Sequence, residues 1–295
     1  MITIFTIPKP FKGHINTIQR NAIRSWKKLH PQIEIILFGN EEGIPEVAKE
    51  FNLIHVPDIE KNEFNTPLLS SAFEIAQNKS KHSILMYCNC DIILFPEMLQ
   101  TIKSIKKSMY LVCGRRWDLN IDEVINFEDN EQMASLFQNL KENGFLHGMC
   151  GLDYFVFPKN SVKMQPFAVG RPAWDGWLIF DRIQKKIPVI DATEAITIIH
   201  QNHDYSHSKF GKSDRVEGPE LLKNLDLAGG FSCLMTLRNA DWILSPEQKL
   251  KRPYFLRYFF SILLKYSFFR RIISLKRQIS ETTDSLKKNF LSKIS

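Results

Sequence analysis

Two hydrophobic periods alternate along this chain. Short apolar runs predict strands at Ile2–Ile7, Ile33–Phe38, Leu53–Val56, Ser83–Cys88 and Met109–Cys113. Between them, apolar residues recur at helical spacing. Ile15–Leu29 carries Ile18, Ala22, Ile23 and Trp26 on one face, and Leu68–Gln77 aligns Leu69, Phe73 and Ala76. Pro45–Phe51 reads as a short helix, and another opens at Pro96, a favoured first-turn residue. Strand and helix in alternation predict a mostly parallel sheet with helices on both faces. Beyond Gly114 the pattern loosens. Arg115–Gly144 is polar, with one predicted helix at Glu131–Glu142. A strand at Asp153–Phe157, a helix at Trp174–Lys186 and short strands at Val189–Ile190 and Ala195–Ile199 follow, then a polar loop, Asp204–Glu217. No internal repeat or low-complexity block interrupts this order.

The run Ser83–Leu94, SILMYCNCDIIL, breaks the pattern in an informative way. A buried-type strand stops at Asn89-Cys90-Asp91, and the chain then turns apolar again. A carboxylate at the carboxyl end of a core strand stands where open α/β sheets bind ligands. Asn89 and Asp91, two apart, share a face in extended chain, and such an oxygen-rich pair can hold a hard divalent cation. Asn and Asp are also common turn formers, so the segment alone is compatible with a plain strand end.

Composition adds two things. The 295 residues suffice for one large domain or two small ones, and 44% hydrophobic with 24% charged residues is ordinary for a soluble globular protein. The start, MITIFTIPKPF, lacks the basic flank and long apolar core of a signal peptide. Five irregularly spaced cysteines give no disulfide framework and no zinc spacing, which points to a reducing compartment. The net charge of +7 is uneven: Lys249–Ser295 holds twelve Lys and Arg against two acids, a net of +10, which leaves the first 248 residues at −3.

From Met1 to about Trp242 the ordered motifs resemble the GT-A glycosyltransferases, nucleotide-sugar enzymes with a single Rossmann-like α/β domain. Asn89-Cys90-Asp91 matches the aspartate-x-aspartate motif with Asp91 at its second acidic position. Leu146–Gly151, LHGMCG, stands where the family has a glycine-containing loop before a core strand. Trp174-Asp175, opening a helix, stands where the family has the acidic motif that ends in its catalytic base. His200, after the strand AITII, stands where the family has a late metal-ligating histidine. The departure is Asn89, a neutral amide in place of a carboxylate; it can hydrogen-bond a ribose hydroxyl but is a poorer metal ligand.

The resemblance implies a nucleotide-sugar donor, a divalent cation (Mn2+ or Mg2+) held by Asp91 and His200, and Asp175 as the base that deprotonates an acceptor hydroxyl. Mixed nitrogen and oxygen ligation is more natural for manganese. A cation there would neutralise charge gathering on the diphosphate leaving group. Donor-binding candidates are Pro8 and Lys9 at the end of the first strand, Asn89, Asp91, Gly148, Asp153 and Arg171, the last through its planar fork. Arg115 and Arg116 are weaker candidates for the diphosphate. Gly148 and Gly151 permit close backbone approach, or are simply turn glycines. Asp153 rivals Asp175 as the base; Asp191 and Glu194 read as structural, and His203 and His207 as loop residues.

Residues 1–248 are thus expected to form the GT-A-like domain and 249–295 a basic amphipathic tail. From Lys249 to Ile279 the tail contains no acid and interleaves aromatic clusters with Lys and Arg. It has no uncharged run of spanning length, which fits a helix lying in an anionic membrane interface. No nucleic-acid-binding module is recognisable, and nucleic acid is not an expected partner. The resulting expectation is a peripheral enzyme on the cytoplasmic face of a membrane, moving sugar to a glycan or glycolipid, with inversion at the anomeric carbon. A retaining transferase, a nucleotidyltransferase and a non-catalytic membrane-bound scaffold are the alternatives.

Overall fold

The computed structural model describes residues 1–203 and 218–254, together with Phe259. The polar Asp204–Glu217 and all but the first residues of the basic tail lie outside the described residues. Two sheets carry the fold. A nine-stranded sheet has the order β13 (Leu250–Lys251), β12 (Trp242–Leu244), β10 (Val189–Asp191), β6 (Leu111–Cys113), β9 (Tyr154–Pro158), β4 (Ile84–Cys88), β1 (Ile2–Thr6), β2 (Glu34–Phe38), β3 (Ile54–Val56), and a four-stranded sheet has the order β5 (Ile92–Leu94), β11 (Ile198–Gln201), β7 (Trp117–Leu119), β8 (Phe145–Leu146).

The amino-terminal half follows the hydrophobic pattern closely. Strand β1 (Ile2–Thr6) pairs in parallel with β2 (Glu34–Phe38) and β4 (Ile84–Cys88), and β2 with β3 (Ile54–Val56). The intervening helices are α1 (Gly13–Leu29), α2 (Ile44–Glu50) and α3 (Leu69–Lys79). Successive strand residues point to opposite faces, and both faces are dry. Ile4, Leu37 and Met86 join Ala22, Ile23 and Trp26 of α1 on one side. Phe5, Ile36 and Tyr87 meet Phe73 of α3 and Trp174 and Trp177 of α6 (Trp174–Gln184) on the other. Phe73 stacks on Tyr87 and on Phe157, each 5.5 Å away, so the second face is largely an aromatic layer.

The Asp153–Phe157 run forms β9 (Tyr154–Pro158), and it is antiparallel to both neighbours, β4 and β6 (Leu111–Cys113). Beyond it, β10 (Val189–Asp191) pairs in parallel with β6 and with β12 (Trp242–Leu244). The sheet is mostly parallel, as the alternation implies, and this Rossmann-like α/β arrangement agrees with the GT-A-like fold class expected from the sequence.

Of the small sheet the periodicity showed one strand, the Ala195–Ile199 run, which in the structure begins three residues later, at Ile198–Gln201. The sheet joins β5 (Ile92–Leu94), β7 (Trp117–Leu119), β8 (Phe145–Leu146) and β11 (Ile198–Gln201). Helix α5 (Asn130–Asn143) packs Leu136 and Leu140 against Ile93, Leu119 and Ile199. Strand β5 is an edge, so its outward backbone groups need partners. Buried side chains of α1 supply them: Trp26 Nε1 donates to the Ile92 carbonyl at 2.8 Å, and the Leu94 N–H donates to Ser25 Oγ at 3.1 Å.

Two further helices, α4 (Glu97–Lys103) and α7 (Pro219–Ala228), complete the layers. Residue 248 does not end the sheet. The first basic residues turn back as β13 (Leu250–Lys251), antiparallel to β12, and Trp242 has the Arg252 guanidinium 3.9 Å and the Lys107 ammonium 4.7 Å from its ring centre. Among the described residues, no helix is long and apolar enough to cross a membrane.

Candidate active site

The carboxyl ends of β1 and β4 open onto the small sheet, and that junction is the candidate site. Asp91 lies between the end of β4 and the start of β5. Antiparallel register sets His200 of β11 opposite Ile92, and parallel register sets it beside Asp118 of β7. Gln201 fixes the height of the Asp91 backbone: its N–H and its side-chain amide each reach the Asp91 carbonyl at 3.1 Å. The Gln201 side chain is held in turn by Asn21 at 3.0 Å and by the Ile18 carbonyl at 2.8 Å, both on α1. The long polar-faced helix after the first strand therefore positions a motif seventy residues downstream.

Asp91, His200 and His203 present one ligand atom each, all within 4.8 Å of one another. Asp91 Oδ2 is 3.2 Å from His203 Nε2 and 3.8 Å from His200 Nε2. Burial alone would raise the Asp91 carboxyl, but His200, the His203 hydrogen bond and Lys9 outweigh it and hold it far below the usual carboxylate range. Its other oxygen, Oδ1, is buried without a hydrogen-bond partner among the described residues. A buried carboxylate oxygen left unsatisfied beside two imidazoles fits a divalent cation. His203, read from sequence as a loop residue, is in this group; HxxH-type spacing in IIHQNH was the available signal.

Behind these three side chains runs a charged network that composition did not reveal. His200 Nδ1 lies 3.0 Å from Asp118 Oδ1, whose partner oxygen is 2.7 Å from His147 Nδ1. Burial disfavours the Asp118 anion, yet His200, His147 and Arg116 hold its carboxyl well below the ordinary range. Burial would lower the His200 imidazole, but Asp118 and Asp91 push it above its usual value. Arg116 links Asp118, at 2.7 Å, to Asp153, also at 2.7 Å. Asp153 in turn accepts from the Asn89 side chain at 2.6 Å. Because β9 runs antiparallel to β4, its start meets the end of β4, and the Asn89 N–H also donates to the Asp153 carbonyl at 2.9 Å.

The glycine-containing loop has a concrete geometric reason. A Cβ on Gly151 would sit 2.1 Å from His147 Cδ2, so this glycine lets the imidazole lie against backbone and reach Asp118. Gly148, by contrast, is exposed and has open space around it. Pro8 is buried at the end of β1. Lys9 is clamped by Gln19, which accepts from its N–H at 2.7 Å and donates to its carbonyl at 2.9 Å, and its ammonium stands 3.2 Å from His203 Nε2.

Asp175 is in the first turn of α6, partly exposed. Trp174 anchors that turn edge-on to Tyr87 at 5.2 Å and beside Phe155 at 5.1 Å, which ties it to the ends of β4 and β9. Burial pushes the Cys113 thiol up, with Asp191 and Asp175 adding to it, so Asp175 also neighbours the end of β6. The residue before the helix, Ala173, is buried with φ of 93°, a strained conformation for a residue with a Cβ. Helix α7 braces this turn: Asn224 donates to the carbonyls of Ala168 at 3.1 Å and Pro172 at 3.2 Å. Glu220 takes Arg171 Nη2 at 2.6 Å. Arg171, considered from sequence for the diphosphate, thus has a carboxylate partner of its own. The buried cysteines Cys88 and Cys90 have thiols pushed up by burial and are chemically quiet.

No family model and no curated protein sequence matches this chain. Among solved structures it is similar to Staphylococcus aureus TarS 1–349 in complex with UDP-GlcNAc, with a TM-score of 0.47, 9% identity, and coverage of 78% of this chain and 66% of that one. It is also similar to glucosyl-3-phosphoglycerate synthase from Mycobacterium tuberculosis in complex with Mg2+ and uridine-diphosphate, with a TM-score of 0.46, 13% identity, and coverage of 78% and 80%. A mannosyltransferase from Pyrobaculum calidifontis in complex with GDP-Man and Mn2+ gives 0.41, 11%, 67% and 56%.

Proposed function

We propose that this chain is a nucleotide-sugar-dependent glycosyltransferase of the GT-A type, which moves a sugar to a hydroxyl of a glycan or glycolipid. The observation that carries this reading is the Asp91, His200 and His203 cluster at the carboxyl end of β4, with Lys9 beside it. Asp91, His200 and His203 would hold Mn2+ or Mg2+, which when bound neutralises charge on the departing diphosphate. Lys9 adds a second positive charge at the same place. Asn89, its side-chain N–H already given to Asp153, keeps its carbonyl oxygen for a ribose hydroxyl. Pro8 walls the nucleotide end.

Asp175 is the base in this reading. It lies in the helix turn over the ends of β4 and β6, where its carboxylate takes the proton of an attacking acceptor hydroxyl. That role implies inversion at the anomeric carbon. Asp153 is the weaker rival, since both its oxygens are engaged, by Asn89 and by Arg116. Asp153 and Arg116 instead hold Asn89 and Asp118 in place.

The tail supports a second part of the proposal, peripheral attachment to the inner face of a membrane through its basic and aromatic residues. The test of the central claim is release of nucleoside diphosphate from a panel of nucleotide sugars, with and without manganese. Release with at least one donor is expected, and no release from any donor would overturn the assignment.

A further inference from the structure

Positive charge also gathers at the far edge of the large sheet. A recess of about 560 Å3 has Lys107, Lys186, Arg252, Trp242 and Asp241 in its lining. Lys107 lies between α4 and β6, and Lys186 between α6 and β10. Asp241 directly precedes β12, and Arg252 directly follows β13. Strands β6, β10 and β12 are parallel to one another, and β6 runs the same way as β4 because both oppose β9. The recess is therefore at the amino ends of these strands. Asp91 stands at the carboxyl end of β4, on the opposite edge, so the recess is separate from the candidate active site.

Trp242 organises two of the cations. Its ring centre is 3.9 Å from the Arg252 guanidinium and 4.7 Å from the Lys107 ammonium. A guanidinium stacked on a ring keeps its N–H donors directed outward in its own plane. One of them, on Nη1, donates to the Asp241 carbonyl at 3.4 Å. Lys186 brings a third charge. It closes α6 in left-handed backbone, with φ of 58°, a position usually held by glycine or asparagine. At that helix end the carbonyls of Arg182 and Ile183 are already paired, with the N–H of Ile187 at 2.9 Å and of Lys186 at 3.0 Å. The acids of these segments are engaged as well. Asp181 pairs with Arg182 and Lys185, Glu247 with Lys251, and Asp241 Oδ2 accepts from the Val189 N–H at 3.0 Å. Among the described residues, Lys107 and Lys186 have no carboxylate partner.

Three cations thus face one carboxylate, on a body whose first 248 residues are net negative. The chain that follows adds to the charge, since no acid occurs from Lys249 to Ile279. A phosphate matches this lining. Its charge balances the surplus, and its oxygens accept from ammonium and planar guanidinium donors together. The volume is within the range of small-molecule sites and leaves room for the group that the phosphate esterifies. We infer that this recess binds the phosphate of a phosphoester. Two sources carry that chemistry, a soluble phosphoester and the headgroup of an anionic phospholipid. The inference does not depend on the glycosyltransferase reading.

Amine acylation of the full chain, read residue by residue by peptide mass spectrometry, tests it. The probes are glycerol 3-phosphate in solution and phosphatidylcholine vesicles with phosphatidic acid. The controls are glycerol, sodium chloride at matched ionic strength, and phosphatidylcholine vesicles alone. At least one probe should protect Lys107 and Lys186 several-fold, and the controls should not. Lys81 lies on the same edge of the sheet, just before β4, with its side chain 80% exposed. It should keep its reactivity, which separates binding in the recess from shielding by a nearby membrane. Protection by the vesicles alone identifies a lipid headgroup, protection in solution alone a soluble phosphoester, and protection by both the phosphate itself. Arg252→Gln leaves both lysines to be labelled. It should raise the probe concentration for half-protection about tenfold, the loss of one charge-assisted hydrogen bond. Absence of protection by either probe, equal protection by a control, parallel protection of Lys81, or unchanged half-protection in Arg252→Gln would overturn the inference.

Discussion

Asn89 is tied to Asp153 twice, through its side-chain amide at 2.6 Å and through its backbone N–H at 2.9 Å. The amide at the first motif position is therefore part of the local electrostatics. A carboxylate there would face the Asp153 carboxylate at hydrogen-bond distance, and two such groups cannot both ionise. Asn89→Asp is expected to lower thermal stability and to leave manganese affinity no better at neutral pH. Calorimetric titration of Mn2+ with a melting curve checks both; tighter binding in a chain of unchanged stability would refute the account.

Asp91→Ala removes the only carboxylate of the proposed ligand set. Loss of manganese binding by titration and loss of turnover are expected together, since a charged ligand contributes several kcal/mol to transition-state stabilisation, about a thousandfold or more in rate. A folded variant with near-normal activity would rule the cation site out.

Asp175→Asn should keep donor affinity and lower kcat by at least about a hundredfold, the lower range for a general base. Asp153→Asn should behave differently. It breaks the pair that the buried Asp153 makes with the partly buried Arg116, so stability and donor affinity should fall together. If the two variants exchange these patterns, the base is Asp153. Product stereochemistry by NMR gives an independent reading, because retention is incompatible with the role given to Asp175.

Acid should act on the α7 brace through Glu220. Burial would raise this carboxyl, but hydrogen bonds from Asn62 and Thr66 and the charge of Arg171 lower it from its ordinary value of 4.5. The unfolded chain then takes up the proton at higher pH than the folded one. The stability Glu220 contributes is fully present above its unfolded value and is lost as pH falls through the folded value. Urea midpoints of the natural chain and Glu220→Gln, compared from about pH 6 to pH 3, should differ most at pH 6 and converge on acidification. A constant gap would contradict this.

Two truncations separate the body from the tail. A chain ending at Tyr254 keeps β13 and Arg252 over Trp242, and should fold and bind nucleotide while losing attachment to anionic vesicles. A chain ending at Gln248 loses both contacts and should melt at lower temperature. Equal vesicle co-sedimentation of the full chain and the Tyr254 truncation would show that the tail does not bind membrane.

The first half of the fold was legible because each strand there is a continuous apolar run and each helix an amphipathic one. Element bounds from Ile2 to Cys88 differ from the structure by a residue or two. Of the small sheet only the Ala195–Ile199 run was legible, since Trp117–Leu119 and Phe145–Leu146 are too short to show a period. That sheet carries Asp118 and sets His147 and His200 around it, so the network behind the ligands stayed hidden as well. Asp91 and His200 are singled out in the sequence by their positions after apolar strands, and the structure sets them close together. His203 was passed over because clustered histidines resemble loop residues. The antiparallel direction of β9 has no signature in its sequence, and it is that direction which brings Asp153 to Asn89.

The placement of β9 also shapes how the chain reaches its fold. Strands β3, β2, β1 and β4 are neighbours in the sheet and all lie before Asn89, so they can assemble while later residues are still being synthesised. The next strand on that side begins only at Tyr154, and until it arrives β4 presents an unpaired edge with apolar residues on both faces. Strand β6, made earlier, has no place until β9 and β10 flank it. Closure of the sheet is thus a late, long-range event, and a nascent chain halted between these strands is the form most exposed to aggregation.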